Sequence, residues 1–75
     1  TIEIQLAETN NLIVSIFDVT GRLINTLVNN ELEAGLYSVA WNGKDQNGRM
    51  LPTGVYIMKV VSGKNNHNQK IAFVK

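Results

Sequence analysis

The sequence predicts an all-β fold, a two-sheet sandwich of about six to seven antiparallel strands. Short segments in which apolar and polar residues alternate recur along the 75 residues, as expected of strands with one face in water. Turn signals separate these segments at intervals of roughly 8 to 12 residues, a spacing typical of sandwiches. The ten asparagines are concentrated in pairs or beside glycine, which predicts turns at 10–11, 29–30, 42–43, 47–48 and 65–66.

The first two predicted strands differ in how many of their faces are apolar. In Ile2 to Leu6, isoleucine and leucine alternate with Glu3 and Gln5, so we expect one buried face and one wet face. After a turn at Glu8 to Asn11, the segment from Leu12 to Val19 carries apolar residues on both faces. That pattern predicts a central strand with both faces at least partly covered.

The segment from Arg22 to Val28 follows a turn signal at Asp18 to Gly21 and fits two kinds of structure. Some of its apolar residues have helical spacing, which makes a helix the competing interpretation. We favour a strand for two reasons. In a helix, Asn25 competes for backbone hydrogen bonds, and Thr26 and the β-branched residues around it lose χ1 freedom.

The second half of the chain begins with a connection at Asn29 to Gly35. The next predicted strand, Leu36 to Trp41, places its aromatic residues and Val39 on one face. Val55 to Val61 is the most apolar strand, and a break from Ser62 to Asn68 separates it from a last strand at Gln69 to Lys75. Within this break we expect the asparagine-rich loop from Lys64 to Asn68 to be mobile.

The loop between Trp41 and Tyr56 is the segment around which the other elements are arranged. It contains two Asn-Gly dipeptides, the strongest short-range turn signal, and a Pro-Thr-Gly corner. In that corner we expect Gly54 to adopt a backbone conformation that a β-branched residue could not. The residues predicted to fix the structural corners are Gly21, Trp41, Gly43, Gly48 and Pro52.

Length, charge and composition limit the possible functions. We expect residues 1–75 to be a single domain excised from a longer protein, with a small core because so short a chain buries only roughly 60% of its unfolded surface. The charges are scattered and the net charge is +1, which argues against nucleic acid and anionic membranes as partners. The absence of cysteine leaves the redox compartment open.

No pattern in the sequence indicates catalysis, a cofactor or a metal site. His67 lies in a polar segment without a second histidine, and the acidic residues are dispersed, so we expect neither an enzyme nor a metal site. The segment from Asp45 to Gly48 has a faint likeness to a calcium loop but lacks the downstream glutamate. Trp41 with Tyr37 or Tyr56 could form a sugar-stacking platform, although their alternation favours a place in the core.

Several motifs follow one another in an order that resembles a known family. They are Val14-x-Ile16-Phe17-Asp18-x-x-Gly21-Arg22, Ala34-Gly35-x-x-x-Val39-x-Trp41-Asn42-Gly43-x-Asp45-x-x-Gly48 and Pro52-x-Gly54-Val55-Tyr56, before a final lysine-ended strand. Together they resemble the C-terminal sorting domains of type IX secretion cargo (type A). They also resemble the immunoglobulin-like domain of the flagellar hook-cap scaffold, with its Trp-x-Gly-x-Asp and Gly-Val-Tyr signature.

The resemblance to sorting domains implies an immunoglobulin-like β-sandwich that directs an N-terminal cargo domain of the same chain to the cell surface or medium through the periplasm. Its implied partners are the outer-membrane secretion machinery and a surface sorting peptidase. The residues implied in recognition are Gly54, Tyr56, Lys70 and Lys75, with Gly54 and Tyr56 equally able to act only in the corner and core. Arg22 either pairs with Asp18 or belongs to a docking face.

Two other hypotheses stay open. One is an accessory sandwich that binds polysaccharide beside a catalytic domain. The other is a structural and assembly module like the hook-cap domain. Under every hypothesis, a chain with so small a core can self-associate through a sheet edge, for which Ile71 to Val74 is the expected site.

Overall fold

The computed structural model describes residues 2–74 and consists of strands and loops. All pairings between strands are antiparallel, which confirms the all-β prediction. The strands are β1 (Ile2–Leu6), β2 (Asn10–Phe17), β3 (Leu23–Leu32), β4 (Gly35–Val39), β5 (Gly54–Ser62) and β6 (Asn65–Phe73).

The strands form two sheets of unequal width. The smaller sheet pairs β1 with β4, and the larger has the order β3-β2-β5-β6. The chain crosses between the sheets after β1, β3 and β4, while β2-β3 and β5-β6 are neighbours in both sequence and space. The result is the two-layer sandwich that the sequence predicts.

The core lies between the sheets and is built by the alternating residues of β2 and β5. Leu12, Val14 and Ile16 are completely buried, and Val14 and Ile16 stand directly opposite Val60 and Met58. This confirms the predicted inward faces of both strands. The buried core consists of Leu6, Leu12, Val14, Ile16, Ile24, Val39, Tyr56, Met58 and Val60.

The segment that could have been a helix is a strand, and two irregularities explain its ambiguous pattern. The register between β2 and β3 shifts at Val14/Ser15 and again at Ile16/Phe17, which leaves Leu27 and Ile24 without a direct partner on β2. Each extra residue in a strand changes the phase of the side-chain alternation. Ile24 is therefore buried, and Leu27 packs against the core, although strict alternation would separate them.

Three of the five predicted asparagine turns are wrong. Asn10 and Asn11 begin β2, Asn29 and Asn30 lie within β3, and Asn65 and Asn66 begin β6, which takes up most of the loop from Lys64 to Asn68 that was predicted to be mobile. β3 and β6 are the outer strands of their sheet, where exposed polar side chains are tolerated. The turn before β6 is instead Gly63-Lys64, where Gly63 takes the positive φ of 58° that a two-residue hairpin requires.

The strands predicted to end at Val19 and Trp41 extend only to Phe17 and Val39. The last strand, β6, ends at Phe73, and its predicted end at Lys75 lies outside the described residues. β2 ends early because Asp18 starts a tight turn. The Asp18 Oδ1 atom accepts the backbone N–H groups of Thr20 and Arg22, and the N–H of Gly21 donates to the Asp18 carbonyl. This turn replaces the ladder hydrogen bonds that a longer strand would need.

The same five-residue turn occurs a second time, in the loop before β5. Both copies read Asp-x-x-Gly-Arg, and Asp45 accepts the N–H groups of Asn47 and Arg49 at 2.9 Å as Asp18 accepts those of Thr20 and Arg22. The glycines at the fourth position, Gly21 and Gly48, have φ values of 90° and 83°. The repeat is visible in the sequence as Asp18 to Arg22 and Asp45 to Arg49.

Candidate interaction surface

The outer face of the larger sheet carries apolar residues on its two central strands, on either side of the polar pair Ser15 and Lys59, although no second layer covers it among residues 2–74. Register places Ile13 opposite Val61, and Phe17 opposite Ile57, on the face turned away from the core. Val55 is on the same face and is 48% exposed. An antiparallel sheet that faces water on one side normally carries polar residues there. The apolar residues on the two central strands therefore make this outer face a candidate docking surface.

The sequence analysis expected both faces of β2 to be at least partly covered, and the structure shows how far this holds. The inner residues of β2 are completely buried, whereas Ile13 and Phe17 on the outer face are half-buried by their neighbours within the sheet. Partial burial by neighbouring side chains leaves apolar surface available to a partner.

Two lysines accompany the apolar residues of the outer face. Lys59 stands opposite Ser15, and Lys70 stands opposite Ile57. Neither lysine is part of an ion pair among residues 2–74. The ion pair found there joins Arg22 and Asp18. Unpaired lysines beside apolar surface can pair with carboxylates of a partner and can favour one partner over another.

The corner before β5 is built around three aromatic rings. Trp41 packs edge-on against Tyr56 with ring centroids 5.1 Å apart, and its ring lies 5.4 Å from that of Phe73. The Trp41 indole donates to the carbonyl of Lys44, and the Tyr56 hydroxyl donates to the carbonyl of Pro52 at 2.7 Å. The latter bond resembles the tyrosine corner of immunoglobulin-like sandwiches. Since these rings pack on one another, they do not form the flat exposed platform that sugar stacking requires.

Gly43 is buried in this corner and faces the Phe73 ring. A Cβ atom at Gly43 would lie 2.2 Å from Phe73 Cζ, and the backbone φ of 81° is one that side chains rarely adopt. At Gly54, by contrast, φ is not positive, and a Cβ atom would meet only Tyr56 atoms at ordinary contact distances. The expectation that Gly54 needs a special backbone conformation is therefore wrong, since it is simply the first residue of β5.

The residues implied in sorting lie at separate places. Gly54 and Tyr56 lie in β5, with the Tyr56 side chain in the core, and Lys70 lies on the exposed part of β6. Lys75 is outside the described residues. No comparison assigns these four residues a recognition role, and that assignment stays a prediction.

The polar residues considered for chemistry have structural roles or lie exposed. The oxygen of Asp45 is used by backbone N–H groups of its own turn, and His67 is exposed on β6. The Thr20 hydroxyl and the N–H groups of Arg22 and Thr20 lower the pKa of Asp18, and the Arg22 guanidinium contributes at 3.6 Å. Between residues 2 and 74, no three His, Cys, Asp or Glu residues are grouped as metal ligands would be.

The described residues include no helix that is long and apolar enough to span a membrane.

Two antiparallel sheets, a core between them and a tyrosine corner define the class of the protein as an immunoglobulin-like sandwich, as predicted. The family can be named more closely. A family model described as the FlgD Ig-like domain matches residues 1–66, and the chain belongs to that family.

Two curated relatives are similar to most of the chain. Both are called basal-body rod modification protein FlgD, one from Salmonella typhimurium (strain LT2) and one from Salmonella typhi. Each is 34% identical over 58 residues, which cover 77% of this chain and 25% of the relative. The chain thus spans about a quarter of the length of the curated relatives that it matches.

These comparisons overturn the leading hypothesis on function. The family and both relatives point to the flagellar protein and not to a type IX sorting signal, so the predicted export role is wrong. The outer-membrane secretion machinery and the sorting peptidase are wrong as partners for the same reason. The motifs behind that hypothesis lie in turns and in the core of this chain, so they specify the sandwich and not its partner. Of the two relationships predicted, the one to the hook-cap domain is confirmed.

Proposed function

We propose that this domain is a non-catalytic assembly module of a flagellar hook scaffold, which docks on other protein subunits through the outer face of its larger sheet. The observation that carries the proposal is the set of apolar residues on the two central strands of that face, beside Ser15 and Lys59, in a member of the FlgD Ig-like family. A scaffold module works by binding, and an uncovered apolar surface is what such binding uses.

The rest of the molecule supports this role by its rigidity. The face is formed by the two central strands of the larger sheet, and the inner sides of these strands form the buried core. The backbone of such strands is held in a fixed position by the packing of their inner side chains, so the outer side chains project from a rigid frame. The face therefore offers a partner a surface that is already ordered, which lowers the entropic cost of binding.

The proposal extends to the context of the domain. The chain acts as one module of a longer protein, since the relatives are about four times as long as the part that it matches. The proposed place of action is the cell surface, as the sequence analysis expects. Neither of the relatives' names describes an enzyme, and this supports a role without catalysis.

A domain exchange tests the proposed function. The aligned segment of the S. typhimurium protein is replaced by this domain, and swimming and hook formation are measured in a strain without its own copy. We expect hook formation and swimming to be restored in part, because a sandwich of the same family places its sheet faces at equivalent positions in the chimera. A chimera that is stable and reaches the same cellular level but forms no hooks would contradict the proposal.

A further inference from the structure

The two sheets leave the sandwich open along one side, between β1 and β6. Two hollows follow one another there, with volumes of about 340 and 390 Å³. The first is lined by the second half of β1 and the first half of β6, and the second by Ile2 and the rest of β6. Core residues Val60 and Met58 form part of their lining. We call this opening the β1/β6 seam.

The seam exists because a two-stranded sheet faces a four-stranded one. Register places His67 and Gln69 of β6 on the inner face, opposite Val60 and Met58, yet both are exposed. An inner-face position becomes exposed when no strand of the other sheet lies over it. A further strand beside β1 would lie over this part of β6, and the smaller sheet would then have three strands against four in the larger one.

The opposite side of the sandwich is closed in a different way. There the loop after β4 lies along the edge of β3, where the N–H of Gln46 donates to the carbonyl of Ile24 and the Asn25 amide donates to the carbonyl of Lys44. The free edge of β1 has no such cover, since within residues 2–74 β1 pairs only with β4. The N–H and C=O groups on that edge can be satisfied by an added strand.

The charges beside the seam indicate which strand would fit. Glu3 is exposed on the outer side of β1, and Glu8 lines the end of the first hollow. Between residues 2 and 74 neither carboxylate is part of an ion pair. Side chains on neighbouring strands lie about 5 Å apart, so basic residues on an added strand would pair with these glutamates.

From this geometry we infer that the β1/β6 seam is a strand-acceptor site, which binds an extended polypeptide segment of another protein along the free edge of β1. The segment carries apolar residues at alternate positions, which face Met58, Val60 and Ile71, and basic residues between them, which face Glu3. This mode of binding, strand addition to a sheet edge, draws affinity from the main chain and specificity from alternate side chains. It uses a different surface from the outer sheet face and does not rest on the proposed function.

A peptide titration followed by amide NMR spectra of the domain tests this inference. The probe is the peptide Lys-Val-Lys-Val-Thr-Val-Lys, and the control has proline in place of the central valine, which removes a main-chain donor. We expect the probe to shift the amide signals of β1 and of His67 to Ile71, and to slow hydrogen exchange in β1. The control peptide should do neither.

Two variants distinguish this site from general attraction between charges. Glu3→Lys leaves the fold intact because Glu3 is exposed, and it should weaken probe binding about two- to fivefold or more. Glu31→Lys, on the far β3 edge, makes the same change of charge and should leave binding unchanged.

A second experiment joins the probe segment ahead of Thr1 through an Asn-Gly turn, which raises its effective concentration.

The joined strand should raise the melting temperature and protect the β1 amides, whereas its proline version should not. The inference is overturned if neither the free nor the joined probe protects β1, or if probe and proline control act alike. It is also overturned if the β1 and β6 signals shift with protein concentration before any peptide is added, because the occupant would then be a second copy of this chain.

Discussion

Replacing Gly43 by alanine should destabilise the domain more than any other change of a glycine to alanine in the loop before β5. Two causes act at this position. The φ of 81° costs a side-chain-bearing residue about 1–2 kcal/mol, and the new Cβ would lie 2.2 and 2.4 Å from two atoms of the Phe73 ring. Phe73 cannot move away freely, because it packs against both Trp41 and Tyr56.

The magnitude follows from a comparison with Gly48. Its φ of 83° is nearly the same, but a Cβ atom there would meet nothing within 4 Å. Gly48→Ala should therefore lower the free energy of unfolding by the backbone strain alone, about 1–2 kcal/mol. Gly43→Ala adds an overpacking cost of about 1–3 kcal/mol, for a total of about 2–5 kcal/mol. In a domain of this size each kcal/mol lowers the melting temperature by about 4–8 °C.

Urea denaturation of both variants, with the melting temperature as a second readout, measures the difference. Phe73→Leu is introduced into the wild type and into both variants, because a smaller, flexible side chain makes room for the Cβ atom. The excess cost at Gly43 should then decrease, while the cost at Gly48 stays the same. Equal destabilisation by Gly43→Ala and Gly48→Ala, within about 0.5 kcal/mol, would refute the contact between Gly43 and Phe73.

Three further predictions concern the core, the corner and the first turn. Ile16→Ala, at a completely buried position, should lower the free energy of unfolding by about 2–5 kcal/mol in urea denaturation, and a loss below 1 kcal/mol would contradict its place in the core. Tyr56→Phe removes the hydrogen bond to the Pro52 carbonyl and should cost about 0.5–1.5 kcal/mol, without a change in the strand signals of circular dichroism. The pKa of Asp18 is lower in the folded state than its usual 3.8, so its stabilising effect is full above that value and is lost as pH falls through the lowered pKa. Asp18→Asn should therefore make stability depend less on pH as the pH falls below 3.8, and an unchanged profile would argue against the lowered pKa.

The alternation of side chains was sufficient to predict the central strands of the fold. Leu12, Val14 and Ile16 in β2 and the alternate residues of β5 are buried as the sequence indicates, because both strands are regular where they pair with each other. β3 was harder to predict, since two shifts of register change which residues face inward. Such irregularities depend on the partner strand and are not visible in one segment of sequence.

Turn prediction failed where a pair of asparagines lies at the start of a strand or within one. Asn29 and Asn30 pair with β2, and the turn after β5 is made by Gly63, although the neighbouring asparagines suggest a later one. Asparagine permits a turn but does not require it, whereas a two-residue hairpin needs positive φ. The repeated Asp-x-x-Gly-Arg turn was a readable signal, because aspartate, glycine and the spacing between them specify its hydrogen bonds.

The candidate surfaces could be predicted only in part. The apolar outer residues of β2 were visible in the sequence, but whether another layer covers them depends on how the remaining strands are divided between two sheets. The β1/β6 seam depends on the same division and left no signal in any single segment. The error about function has a similar origin, because motifs that build corners and cores are shared by sandwiches with different partners.

The central claim, docking through the outer sheet face, is tested most directly in the chimera with the S. typhimurium protein by counting hooks in electron micrographs. Val55→Glu places a charge on the outer face, and Leu36→Glu places the same charge on the smaller sheet, where Leu36 is also exposed. Both are made at exposed apolar positions, and the melting temperature of each isolated domain serves as the folding control. We expect hook counts to fall about tenfold or more for Val55→Glu and to remain unchanged for Leu36→Glu. Equal hook counts for the two variants, with both domains folded, would contradict the account.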